Sequence, residues 1–129
     1  MKLSFKFVSK AFPPEPGEDV AVNPGRYGKR LAHFLTDQLS ARGQVIVKVA
    51  PEDWGWRIDM RNDEFRLWIG CGNLDEVENG FLCFVEPRAP KAGQWFKRTS
   101  TRQKTEQLAE ELYEVLAANA SIEQLAWTD

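Results

Sequence analysis

Polar and apolar positions alternate at Leu3-Ser4-Phe5-Lys6-Phe7, which predicts a half-buried strand. Phe12 to Asp19 contains Pro13, Pro14 and Pro16 and reads as a loop, because proline cannot donate to a ladder. The period then changes. Asn23 suits an N-cap and Pro24 a first helical position. Tyr27, Leu31, Phe34, Leu35 and Leu39 follow at spacings of three and four, and Gly43 supplies a stop, so a helix is expected over about 24–42. Four strands are expected next. Their inward sets are Val45, Val47 and Val49, then Trp56, Ile58 and Met60, then Phe65, Leu67 and Ile69, and finally the apolar run Phe81 to Val85. A tight turn at Asn62-Asp63 places Asp59 opposite Arg66 and Arg57 opposite Trp68. A connection rich in Pro, Gly and basic residues fills 87–99. A second helix runs from a capping box at Ser100 and Gln103 to about Asn119, with Leu108, Leu112, Val115 and Leu116 as its stripe. Ile122 to Trp127 is a candidate short final strand.

The order β-α-β-β-β-β-α, with that short strand last, defines an α+β domain over 1–129. It should hold a mainly antiparallel sheet of about five strands with two helices packed on one face. The strand–helix–strand start leaves one parallel pair open. Sorting strand residues by face puts the three valines, Trp56, Ile58, Met60, Phe65, Leu67, Ile69, Phe81, Cys83 and Val85 under the helices. The other face carries Lys48, Arg57, Asp59, Arg61 and Arg66, and also Ile46, Trp68, Leu82 and Phe84. Such an apolar cluster in water is unusual for a monomer. Ile46, Trp68, Leu82 and Phe84 are therefore expected to meet a second copy, as a homodimer, or a protein partner. The competing expectation is that the loop 9–22 folds over them.

Composition narrows the class. With 43% hydrophobic and 28% charged residues the chain can fold around its own core, and a net charge of −2 gives no global pull toward polyanions. No apolar run approaches the roughly 20 residues of a membrane span, and the N-terminus alternates instead of forming a signal-peptide core. A cytoplasmic location without membrane association is expected. Cys71 and Cys83 are too few for a disulfide scaffold. With His33 they make three soft ligands where a zinc site needs four, so no metal and no cofactor is expected. The hairpin should bring the two thiols together, unbridged in a reducing compartment.

Local motifs offer little catalysis. Gly25-Arg26-Tyr27-Gly28-Lys29-Arg30 has only two residues between its glycines and lacks the hydroxyl of a phosphate-binding loop. Arg26, Lys29 and Arg30 at a helix N-terminus remain a candidate site for a simple anion. His33 has no nucleophile or acid in a recognisable motif beside it. Glu52 and Asp53 are adjacent, whereas sugar hydrolysis needs carboxyls about 5–10 Å apart across a cleft. The segment 88–104 is different. It holds Arg88, Lys91, Lys97, Arg98, Arg102 and Lys104 and no acid, which leaves 11 basic against 19 acidic residues elsewhere. Trp95 and Phe96 interleave these cations, a pattern suited to phosphate contact and base stacking.

Pro51-Glu52-Asp53-Trp54-Gly55-Trp56, with Asn23-Pro24-Gly25-Arg26-Tyr27-Gly28 before it and Ile122-Glu123-Gln124-Leu125-Ala126-Trp127 after it, resembles small uncharacterised bacterial proteins with a Glu-Asp-Trp-Gly-Trp core. The resemblance implies a bacterial single-domain protein and transfers no activity. Two functions from different classes follow. The first is a non-catalytic protein-interaction module, either accessory, antitoxin-like or immunity-like. The second is binding of nucleic acid or another polyanion through 88–104, with Trp95 among the contacts. An enzyme ranks third.

Overall fold

A computed structural model describes residues 2–61, 66–87 and 98–129, the side chains of residue 87 and residues 98–101 excepted. The elements are β1 (Ser4–Val8), α1 (Glu18–Ala21), α2 (Lys29–Ala41), β2 (Ile46–Glu52), β3 (Gly55–Met60), β4 (Leu67–Asn73), β5 (Gly80–Pro87), α3 (Arg98–Ala117) and β6 (Glu123–Trp127). The class is α+β, as the alternation and periodicity require. The six strands form one open sheet in the order β2-β3-β4-β5-β1-β6, and every neighbouring pair is antiparallel. The parallel pair left open by the sequence does not form. β1 crosses to the far side of the sheet, between β5 and β6, while the helix after it leads into β2 at the opposite edge.

Helices α2 and α3 cover one face. Leu31, Leu35 and Leu39 of α2, with Leu108, Leu112, Val115 and Leu116 of α3, pack on Phe5, Phe7, Ile58, Met60, Leu67, Ile69, Phe81, Cys83 and Val85, and all are buried. Each of the larger side chains is worth about 1.5–3 kcal/mol on burial. β6 closes the core end: Trp127 stacks on Tyr113 at 4.7 Å and meets Phe5 edge-on. Cys71 and Cys83 are register partners on β4 and β5, buried and unbridged.

Four local expectations need correction. The long helix starts at Lys29, five residues later than Pro24, and the proline-rich loop ends in the short α1. Asn23 does not cap it; its amide donates to the Asp53 carbonyl. The β3–β4 register pairs Met60 with Leu67 and Asp59 with Trp68, two residues away from the expected pairing. An even shift preserves the faces, so the inward set survives. The third correction concerns β2. A bulge between Ile46 and Lys48 breaks its alternation. Ile46 and Val49 turn toward the core, while Val45 and Val47 are 51% and 50% exposed. Ile46 therefore leaves the expected interaction face. Finally, the segment 9–22 packs on the helix side, with Phe12 against Phe34 and Phe81, and does not fold over the other face. Phe65 and the turn at Asn62-Asp63 lie outside the described residues.

Candidate interaction face

The Glu-Asp-Trp-Gly-Trp segment is the β2–β3 hairpin. Glu52 pairs with Gly55, and Asp53 and Trp54 form the turn between them. Its two tryptophans go to opposite sides of the sheet. Trp56 points inward, and its indole N–H donates to Glu18 Oε2 at 2.8 Å. Trp54 lies over the face that no described helix covers. Gly55 permits this hairpin to press on β4, since a Cβ there would stand 2.3 Å from the Cys71 carbonyl oxygen.

On the open face Trp54 meets Trp68 and Phe84, with ring centroids 6.1 and 5.2 Å away, and Trp68 meets Phe84 edge-on at 5.4 Å. β4 makes room for these rings. Cys71 faces the core, so Gly70 and Gly72 face outward and leave a trough. The Phe84 ring lies in it, and a Cβ on Gly70 would fall 2.2 Å from the ring. The aromatic cluster is half-buried by its own members. Contacts of this kind add about 0.5–1.5 kcal/mol per pair beyond area burial.

Two hollows flank Trp54. One of about 280 Å³ is lined by Trp54, Gly72, Leu82 and Phe84, with Arg26 and Asp75 at its rim. The other, of about 250 Å³, is bounded by Glu52, Trp54, Arg57, Asp59 and Trp68. The rim charges are matched. Arg57 bonds Glu52 and also Asp59, the latter at 2.9 Å. Lys48 approaches Asp59 at 4.0 Å. Arg26 bonds Asp75 and the Asn73 carbonyl.

The structure thus brings Trp68, Leu82 and Phe84 together, sends Ile46 to the core side and adds Trp54. The alternation of β3 carries no signal for Trp54, a turn residue that only the fold of the hairpin over β4 and β5 brings to this face. Of the basic segment, Arg88, Lys91, Trp95 and Lys97 lie outside the described residues, as does the side chain of Arg98, the first residue of α3. Arg102 is exposed and pairs with Glu106 at 3.2 Å. Lys104 lines a separate groove on the helix side, together with Gln44, Arg61 and Glu111.

The candidate anion site at the start of α2 is filled by the chain itself. Glu18, 5% exposed, accepts from Gly28 N and Lys29 N through Oε2 and from Glu15 N through Oε1. Arg30 is exposed, and Lys29 pairs with Glu15 at 3.2 Å above the Trp56 ring. Burial raises the Glu18 carboxyl, but the N–H groups of Glu15, Lys29 and Gly28 and the Trp56 indole outweigh it, and the net is below the ordinary carboxyl value. Burial, and then the Glu18 charge, push the Tyr27 phenol up. Burial first, then its contact with Cys71, raises the Cys83 thiol well above its ordinary value. A buried thiol held protonated is a poor nucleophile. Among the described residues no three His, Cys, Asp or Glu side chains gather as a metal site, and no helix is long and apolar enough to cross a membrane.

Comparison with protein-family models, with curated proteins and with solved structures returns no significant match.

Proposed function

We propose that this chain is a non-catalytic protein-interaction module of a bacterial cytoplasm, working as an accessory, antitoxin-like or immunity-like partner through its open sheet face. One observation carries the reading: Trp54, Trp68 and Phe84 form a half-exposed aromatic cluster on a face that no described helix covers. Aromatic anchors inside a polar rim are the usual anatomy of a protein interface. The charges around the rings favour protein over polyanion, because Arg57, Lys48 and Arg26 are each already beside a carboxylate. The two adjacent unbridged thiols suit a reducing compartment.

Affinity capture from bacterial lysate, with and without nuclease, tests this. A protein bound by the wild type, resistant to nuclease and lost in Trp68→Lys with Phe84→Glu, is the expected result. Nucleic acid in the eluate, abolished by Lys97→Glu, Arg98→Glu and Arg102→Glu, would move the function to the basic segment.

A further inference from the structure

The interaction reading leaves the occupant of the face unnamed. Resting on that reading, we propose that the occupant is a second copy of this chain, packed face to face about a two-fold axis. In this dimer the Trp54 indole of each protomer enters a hollow beside the other's Trp54.

Relief is the first ground. An interface between identical patches must be complementary to itself. Here Trp54 is a ridge with one hollow of about 280 Å³ and one of about 250 Å³ on its two sides. An apolar cavity of about 150 Å³ already accepts a benzene ring, so either hollow has room for the ring of an indole. A ridge beside two hollows meets its own rotated copy as ridge into hollow.

Charge is the second ground. A face with a strong sign repels its own copy. The three rows of cross-strand partners that contain Leu82, Phe84 and Trp68 include Lys6, Arg57, Lys48, Asp59 and Glu86. Adding Glu52, Arg26 and Asp75, which line the hollows, gives four cations and four anions around the rings. Arg61 and Arg66, exposed residues that the alternation assigns to the same face, lie past the Met60–Leu67 end of the β3–β4 ladder. Two such ring clusters meet without net repulsion, whereas a polyanion or a polycation finds no field to follow among the charges that surround them.

Extent is the third ground. A six-stranded sheet of this strand length has a face of roughly 25 by 20 Å, about 500 Å² in projection. Side-chain relief brings that toward the about 800 Å² per partner of a standard interface. A peptide or small molecule would cover part of it, while a second copy has the same outline and covers it whole. The edges do not compete. β2 carries a bulge, Lys48 and Pro51, and the β1–β6 ladder has its own register break, features that discourage strand addition.

Light scattering and sedimentation of the full chain between about 1 and 100 μM decide the matter. The expected mass at the top of the range is twice the 14.8 kDa protomer. Trp68→Lys with Phe84→Glu should give the protomer mass while keeping the circular dichroism of the fold. Should that variant unfold, Trp54→Ala, which removes the ridge alone, is the second arm and should weaken the dimer by at least about tenfold. A wild type that stays at the protomer mass overturns the second copy. A folded variant that keeps the double mass overturns the face. The module reading falls separately, when nuclease-treated capture retains the same proteins on wild type and on the folded face variant.

Discussion

At the scale of single residues, Glu18 is the side chain with the most consequences. It is a buried carboxylate that takes four N–H donors: three from the backbone, of which Gly28 is the N-cap and Lys29 the first residue of α2, and one from Trp56. It thus caps a helix ten residues downstream and fixes the inward tryptophan of the hairpin. Local capping rules examine the N-cap residue and its near neighbours, so Asn23 was the legible choice and Glu18, beyond Val22, Asn23 and Pro24, was not. Glu18→Gln keeps the shape but turns an N–H₂ toward N–H donors, leaving donors unpaired. A buried unsatisfied group costs about 1–3 kcal/mol, more where a charge was involved, and denaturant unfolding at pH 7 should show a loss of about 2–3 kcal/mol. Because the folded carboxyl lies below its ordinary value, its contribution is complete above the unfolded value of about 4.3 and is lost as the pH falls through the folded value. The stability gap between wild type and Glu18→Gln should therefore be widest near neutrality and narrow below about pH 4. A gap that is constant with pH would show that the carboxylate charge does not matter.

At the scale of elements, hydrophobic periodicity located the strands and both long helices of the described residues, because burial against a common core imposes it directly. What it could not locate are features set by another strand. The β2 bulge appears only when Ile46 and Val49 must both face Met60 and Ile58, three residues apart on one strand and two on the other. The sequence alternation of Val45, Val47 and Val49 is smooth through that point. The outward glycines of β4 are of the same kind, since Gly70 has meaning only with Phe84 beside it. Their roles can be separated by substitution. In Gly70→Ala the new methyl meets the end of a side chain, and in Gly55→Ala it meets a backbone carbonyl. Overpacking typically costs about 1–3 kcal/mol. Gly70→Ala should fall in that range and become nearly neutral in a Phe84→Ala background, a coupling that a double-mutant cycle reads directly. Gly55→Ala should exceed it in both backgrounds, because the Cys71 carbonyl cannot turn aside without breaking the β4 ladder. Equal costs at the two positions would remove the explanation offered for the Phe84 trough.

On the scale of the whole molecule, the sequence displayed a net charge of −2 made of two unlike parts, a basic stretch over 88–104 and an acidic remainder. The spatial pattern was not legible, because strand order decides which charges become neighbours. The order β2-β3-β4-β5-β1-β6 puts Glu86 in one row with Trp68, Asp59 and Lys48, Arg57 in the row of Phe84 and Lys6 in the row of Leu82, and the charges around the aromatic rings balance within a charged molecule. That neutrality makes salt a sharp probe. Between about 50 and 200 mM salt, a protein that neutralises six phosphates loses roughly 10³-fold in affinity as counterions re-enter. Apolar burial between ring clusters whose surrounding charges balance has no such term, and the ion pairs within each protomer are present before and after association. Self-association measured by sedimentation over the same range should change its Kd by less than about threefold. A tenfold or larger weakening would mean that the charges bridge the two copies, and the ridge-and-hollow packing would no longer be the main source of the affinity. Binding to single-stranded nucleic acid that falls steeply over the same range, and vanishes with Lys97→Glu, Arg98→Glu and Arg102→Glu, would instead locate the dominant surface in the basic segment.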